Sequence, residues 1–542
     1  MAEIRNIRKE VLLITTTQID IGLRTIAAQL GEGYQCKYLN TSRIEIIKID
    51  STIFKKILAF CSTADFVLFT AVDFRYGNVR VLADAIRERL KIPVIIGGIH
   101  AILYPEDCIN DCNALCIGEA DFLIKKLLDH WDERYSFYIP NFWYNLETKI
   151  VKTERQNLVT DLNNLPTPDF SFDNYFIADQ KVIIPINNIK YYKYQHHQIG
   201  HPSTLVYSSD RGCPHSCSYC YNSNLQKIFG IKNYYRKKSI EKIITELAFI
   251  INTTRNKYHF INIMNDNMAS RTEHELELFA RLYSEEIGIP FYCMVSPMEL
   301  TKSKLKSIVE AGCVELNIGI QTNEKTNLEI YNRRQSNYQI YQVSEMLLEH
   351  SPKIKVFYDL IINNPLEKHD SLIETIQLIR KLIKPFDIVT HHLCIGNNTI
   401  LFNKIYKNGI IHNENIRINN SDFHDFEKHI VDYLKWDTFF ENLLIEWLAG
   451  PHNKQTTGRL QKEYKNFINS TFIFEWVNQH DDLQNLINES KVFETIDFFL
   501  ENIDFFKANK ELLLLLNKLL PSVKYSNFEN IKLVKQTMGT VD

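Results

Sequence analysis

The chain has almost no excess of either charge. Its 542 residues carry 62 Lys and Arg against 65 Asp and Glu, a formal net charge of −3, so the basic footprint expected of a nucleic-acid-binding protein is missing. It also has no uninterrupted apolar run long enough to span a bilayer. The apolar stretch from Glu511 to Leu520 is too short and is broken by polar residues, and it reads as a buried helix. The first ten residues, MAEIRNIRKE, are too charged for a secretory signal. The 11 cysteines are an odd number in a long chain without a mark of secretion, which argues against a disulfide framework. These absences point to a cytoplasmic enzyme with no membrane or nucleic-acid partner. Its length suits three or so domains at roughly 150 residues each.

Three cysteines stand out. Cys213, Cys217 and Cys220 lie in the stretch from Ser209 to Tyr221, after a strand-like run from Thr204 to Tyr207. Cysteine thiolates are the usual ligands of a 4Fe-4S cluster, and three from one loop hold three irons and leave the fourth open. A structural zinc site would need four ligands, and no second Cys/His pair follows at the required spacing. Cys217 and Cys220 alone also form a CxxC, the form of a thioredoxin-like redox motif.

The trio, with Tyr219 before its last cysteine, resembles the signature of the radical S-adenosylmethionine (SAM) superfamily. From Glu10 to about residue 130, short β-rich runs alternate with amphipathic ones, the sequence form of a parallel sheet covered on both faces. Strands are expected at Val11 to Thr15, Phe66 to Thr70, Pro93 to Ile96 and Ala114 to Ile117. Ligands of such sheets bind beyond the carboxyl ends of the strands, which directs attention to the loops that begin near Thr16, Thr70, Gly97 and Gly118. Gly97-Gly98-Ile99-His100, followed by Gly118-Glu119-Ala120-Asp121, resembles the cobalamin-binding domain that precedes the radical domain in one SAM subgroup, the class B methyltransferase-like enzymes. The resemblance implies cobalamin contacts from Thr16, Thr70, Gly97, Gly98, His100, Gly118 and Glu119. Glycines there would let the backbone approach a large flat ligand. No Asp-x-His-x-x-Gly motif is present, so cobalt without a protein imidazole is expected. Cys108, Cys112 and Cys116 read as core cysteines.

A proline-containing linker follows, then a polar aromatic stretch from Ile189 to His197 that reads as a substrate loop or a solvated crossover. Five further strands are expected after Thr204 to Tyr207: His259 to Met264, Phe291 to Ser296, Val314 to Gly319, Ile354 to Ile362 and Asp387 to Cys394. Helices from Ser239 to Ile251, with a serine N-cap, and from Thr301 to Ala311, closed by Gly312, fill gaps between them. Six units suit a partial (β/α)6 barrel, with active residues at the carboxyl ends. Asn265 and Asp266 are then placed to meet the SAM amino group, Ser296 the ribose, and Arg334 or its neighbour Arg333 the carboxylate. Gln321 stands where the family more usually has glutamate. Asn363-Asn364-Pro365-Leu366-Glu367 resembles the family's Gly-x-Pro-x-Glu turn without its glycine.

The resulting division is a doubly wound, Rossmann/flavodoxin-like cobalamin-binding domain at 1–150, a linker at 151–202, a radical SAM barrel at 203–410 and a helical C-terminal domain at 411–542 that shapes the substrate pocket. The aromatic stripe of that last domain, from Phe423 to Trp447, reads as core. The implied cofactors are a 4Fe-4S cluster, SAM and cobalamin. The implied partners are a flavodoxin or ferredoxin-type electron donor and a small-molecule or peptide substrate. C-methylation at an unactivated carbon is the expected reaction, with a radical rearrangement or cyclisation without methyl transfer as one alternative and a non-catalytic cobalamin or redox sensor as another.

Overall fold

The computed structural model describes residues 8–407 apart from 19, 45, 73–74, 173, 187–203, 231–233, 255–257, 351–352, 363 and 394–398. The expected C-terminal domain, its aromatic stripe and the stretch from Ile189 to His197 lie outside the described residues.

The first sheet is built around strands β1 (Lys9–Thr15), β2 (Tyr34–Asn40), β3 (Phe66–Thr70), β4 (Val94–Gly97) and β5 (Ala114–Cys116). Strand β1 explains why both faces are covered. Val11 and Leu13 enter one apolar cluster, while Leu12 and Ile14 enter another on the opposite face, as alternation in a doubly covered strand requires. The five run parallel in the spatial order β2-β1-β3-β4-β5. That is the flavodoxin-like order, whose topological switch lies between β1 and β3.

Two antiparallel strands, β6 (Phe142–Asn145) and β7 (Ile150–Val151), extend one edge. The segment read as linker extends the other, through β8 (Tyr175–Asp179) and β9 (Val182–Pro185). It is anchored by Arg24, buried against the rings of Tyr38, Phe170, Phe172 and Tyr175. Strand β2 was not expected either. Cys108, Cys112 and Cys116 are buried among apolar side chains.

The second sheet contains β10 (Thr204–Tyr207), β13 (Phe260–Ile263), β14 (Phe291–Val295), β15 (Cys313–Gln321), β16 (Lys355–Ile362) and β17 (Asp387–His392). The short ribbon of β11 (Asp210–Arg211) and β12 (Arg236–Lys237) accounts for the gap in numbering. All six run parallel in chain order, the open form of an α/β barrel. Leu316, Ile318, Tyr358 and Leu360 point outward into the core formed with the surrounding helices, leaving the alternate residues to line the lumen. Helix Ile240–Thr253 begins at the expected Ser239 cap, and helix Lys302–Glu310 begins at Thr301, whose side chain caps it as well. One apolar cluster runs from a face of the first sheet to the outside of the barrel, so the two domains pack as one body. No helix of the described residues is long and apolar enough to cross a membrane.

Candidate functional site

The cysteine loop leaves β11 at Gly212. Its φ is +79°, and an added Cβ would stand 2.3 Å from the Tyr234 ring and 2.5 Å from the Tyr234 carbonyl oxygen, so only glycine fits. The loop is then fixed from several sides. Gln226 donates to the carbonyls of Cys213 and His215 at 3.3 and 3.1 Å. Ser218, fully buried, donates its amide to the Tyr331 carbonyl at 2.8 Å and its hydroxyl to the Ile330 carbonyl at 2.6 Å, and accepts from the Leu401 amide at 3.0 Å. The Tyr219 ring meets Tyr331 edge-on with centroids 4.9 Å apart. His215 lies 3.4 Å from Glu299, beyond the end of β14.

Cys213, Cys217 and Cys220 carry free thiols. Burial pushes the Cys213 and Cys220 thiols up to about 12, so taking up iron must also release their protons. No three His, Cys, Asp or Glu side chains among the described residues converge to hold a single metal ion. The three thiols of one anchored loop, each available to a separate iron, fit a cluster.

Beside them stands Arg333, buried at 7 % exposure. Its guanidinium reaches Cys217 Sγ at 3.7 Å, Ser296 Oγ at 3.0 Å, the Gly319 carbonyl at 2.7 Å and Gln335 at 3.0 Å. One cation thereby joins the cysteine loop to the ends of β14 and β15. Arg334, which the sequence reading preferred, is exposed. The preceding Asn332 adopts φ +50°, and this left-handed turn decides which of the adjacent arginines enters the site. Gln321 is also left-handed, at φ +64°, and follows an irregularity in strand pairing. Its amide lies 2.7 Å from where a Gly319 Cβ would stand, so a side chain at 319 would displace the Gln321 amide.

Asn265 has a different task from the one expected. Its Oδ1 accepts from the Ser209 amide at 3.0 Å and its Nδ2 donates to the Ser209 hydroxyl at 2.7 Å, which anchors the approach to the cysteine loop. Asp266 is exposed and accepts from Asn222 at 3.0 Å. Asn267, next in the chain, accepts from the Ser296 amide at 2.9 Å.

In the first domain, Thr16 follows β1 at the topological switch and is 1 % exposed, with no partner for its hydroxyl oxygen. A buried orphan of this kind suits a ligand whose rim carries amides, as cobalamin's does. Thr70, at the end of β3, lies beside Gly98. Gly98, at φ +99°, faces Ala71: an added Cβ would meet its carbonyl oxygen at 2.7 Å and its nitrogen at 2.8 Å. Gly118 packs in the same way on Asn141 at 2.8 Å, and Gly97 lies 3.4 Å from Cys116. These glycines admit close approach of neighbouring protein. The buried His100 ring stacks on Tyr76 at 4.1 Å and lies 4.9 Å from Tyr104.

The Glu119 carboxylate is engaged within the protein. One carboxylate oxygen takes Arg211 at 2.9 Å; the other takes Arg236 at 2.9 Å and the Val159 amide at 2.8 Å. Arg211 also makes a two-toothed pair with Asp121 at 2.6 and 3.1 Å. Glu119 and Asp121 therefore grip the β11–β12 ribbon, with Arg211 two residues before Cys213. The sequence held no sign of this long-range clamp.

Comparison with known proteins agrees with this architecture. Residues 11–127 match the family model of the B12 binding domain, and residues 207–405 that of the radical SAM superfamily. Over 355 residues the chain is 22% identical to bacteriochlorophyllide d C-8(2)-methyltransferase of Chlorobaculum tepidum, covering 64% of this chain and 69% of that protein. Over 248 residues it is 23% identical to cytidylyl-2-hydroxyethylphosphonate methyltransferase of Streptomyces wedmorensis, covering 42% of this chain and 44% of that protein. Among solved structures, the radical SAM methyltransferase TsrM of Kitasatospora setae, with tryptophan substrate and a SAM analogue bound, shares the fold with a TM-score of 0.56 at 14% identity, covering 74% of this chain and 76% of that one. The cobalamin-dependent SAM radical enzyme OxsB does so with a TM-score of 0.56 at 11% identity, covering 99% and 82%.

Proposed function

We propose that this chain, which joins a B12-binding domain to a radical SAM domain, is a cobalamin-dependent methyltransferase acting at an unactivated carbon of a peptide or natural-product intermediate. The observation that carries the reading is the direct clamp of Glu119 and Asp121 on Arg211, two residues from the first cluster cysteine. It ties the cobalamin side of the molecule to the cluster side without a flexible connection. The methyltransferases among its relatives support the same reading.

Cys213, Cys217 and Cys220 would hold the cluster, and Thr16 would contribute to the cobalamin site. When bound, the cluster would supply the electron that cleaves SAM, and cobalamin a transferable methyl group. The residues of this chain bind, orient and exclude. Arg333 offers a fixed guanidinium to a carboxylate, beside Ser296 and Gln321. The packed wall of Tyr331, Leu393, Leu401 and Phe402, with Tyr219 against it, keeps water from one side of the cluster loop, as a reactive radical requires. A flavodoxin or ferredoxin-type protein would serve as electron donor.

The test uses anaerobically reconstituted protein with cobalamin, SAM, a strong reductant and candidate substrates, following 5′-deoxyadenosine and S-adenosylhomocysteine by mass spectrometry. Both products, lost together in Cys217→Ala, are expected. Deoxyadenosine alone, with cobalamin bound and substrate consumed, would replace methyl transfer by a radical rearrangement. Neither product, from protein with an intact cluster, would overturn the enzymatic reading.

A further inference from the structure

The barrel lumen carries a group of polar side chains where an ordinary barrel is packed with apolar ones. Along β15, Leu316 and Ile318 join the outer core, so Glu315, Asn317 and Gly319 face inward. Asn262 on β13, Tyr292 on β14 and Asp359 on β16 share that face. Register links them: Asn262 pairs with Tyr292, Tyr292 with Glu315, and Gly319 with Asp359.

Asn317 is 9 % exposed, and its Nδ2 donates to Asp359 Oδ1 at 3.0 Å. Asp359 has only acceptors to offer, which fixes the orientation of the amide, since the reverse would set oxygen against carboxylate. The Asn317 Oδ1 is consequently turned elsewhere and has no partner. On β13 the Oδ1 of Asn262, also 9 % exposed, has none either. Buried acceptors without partners are rare in native proteins because each forfeits its hydration.

Both signs are present around them, but the cations are already engaged: Lys355 with Asp387 at 3.2 Å, His391 with Asp359 at 3.3 Å, and Arg333 with the Gly319 carbonyl, Ser296 and Cys217, while Glu315 is buried and Asp359 partly so. A carboxylate or phosphate entering here would meet acceptors and negative charge. An apolar group would leave both amide oxygens unsatisfied. A group rich in N–H donors and bearing positive charge satisfies the amide oxygens and the carboxylate together.

We propose that Asn317 and Asp359, with Asn262, form a lumen subsite that receives an ammonium or guanidinium group of the substrate. The inference rests on the methyltransferase reading for calling that ligand a substrate, and it deepens that reading by naming the group recognised. The subsite adjoins the Arg333 side of the pocket, since Asp359 pairs in register with Gly319, whose carbonyl accepts from Arg333.

The experiment is saturation-transfer NMR on the reconstituted full chain with three fragments of equal length: n-butylamine, n-butylguanidine and n-butyrate. Signals are expected from the two cationic fragments and not from butyrate. Asn317→Leu and Asp359→Asn should each weaken cation binding by about tenfold, the loss of one charged or buried hydrogen bond. Circular dichroism and cluster absorbance verify folding, and Asp359→Asn decides the matter if the leucine variant fails to fold. Equal signals from butyrate, or cation signals unchanged in the folded variants, would overturn the subsite and leave a lumen filled only by water. Deoxyadenosine formation by the same wild-type preparation reports separately on the enzymatic reading: its absence would sink that reading while leaving the fragment result to decide the pocket.

Discussion

Glu367→Gln isolates the cost of a buried carboxyl behind the site. Glu367 follows β16, is 5 % exposed, and accepts from Thr322 at 2.7 Å and Ser371 at 3.2 Å through one oxygen, while the other has no partner. Among the described residues no cation balances it in this network of hydroxyls and amides, and burial raises its pKa from 4.5 to about 7. A raised carboxyl favours the protonated folded state. Below 4.5 the group is neutral in both folded and unfolded chains and costs nothing. As pH rises toward about 7 the unfolded chain ionises first, and the folded state loses roughly 1.4 kcal/mol per pH unit until its own carboxyl titrates. The whole interval between 4.5 and about 7 amounts to about 3 kcal/mol. Glutamine retains an acceptor for Thr322 and Ser371 and cannot ionise. Its variant should therefore match the wild type near about pH 4.5 and exceed it by up to about 3 kcal/mol near about pH 8. The assay is urea unfolding of both proteins in parallel across that range, with the difference taken at each pH so that other titrations cancel. A difference that stays flat with pH, or a variant that is weaker at high pH, would refute the reasoning.

Arg333→Lys should lower deoxyadenosine formation by about tenfold or more, because an ammonium cannot span Cys217, Ser296 and Gly319 as a planar fork does, whereas Arg334→Ala should stay within about twofold; equal effects would reverse the assignment of the two arginines. Glu119→Ala should destabilise by about 3 kcal/mol, since it leaves the largely buried Arg236 without its carboxylate, and a double-mutant cycle with Arg211 should return a coupling of about 1 kcal/mol or more. Gly98→Ala forces a Cβ to within 2.7 Å of Ala71 at φ +99° and should cost about 2 kcal/mol or more in thermal or urea unfolding. Gly22→Ala, with nothing within 4 Å of the added carbon, should be nearly neutral and serves as its control.

Much of the fold was legible because doubly covered parallel strands are short apolar runs bounded by polar turns. Phe66 to Thr70 and Thr204 to Tyr207 coincide with observed strands to the residue. Strand β2 escaped because Gln35, which is exposed, and Cys36 and Lys37, which are only partly covered, interrupt its buried pattern. Strands β8 and β9 escaped because prolines nearby suggested a linker, and their place was decided by a distant partner, β2. In the site, local sequence identified the cysteine loop but could not tell Arg333 from Arg334, since a single left-handed residue at Asn332 sets the direction of each. Nor could it reveal that Glu119 meets a residue 92 positions away. Chain pattern reports local periodicity, whereas ion pairs across a domain boundary depend on how completed elements pack.

That packing explains why the two domains act on one loop. The cysteine loop is short, and each side of it is fixed by a different part of the molecule. The first domain holds Arg211 through Glu119 and Asp121. Tyr234 holds Gly212 by shape, and the segment after β15 holds Ser218 and Cys217 through Tyr331 and Arg333. A reaction between groups carried by separate domains loses rate steeply when they are misplaced by even about an ångström. A flexible linker alone would leave that distance to chance. Here residues 175–185, ahead of the second domain, are themselves woven into the first sheet through β8 and β9, and one contact between the domains falls two residues before the first cysteine. Positional error accumulated elsewhere in the chain is thus largely removed from the interval between Glu119 and Cys213, the part of the molecule where it would cost the most.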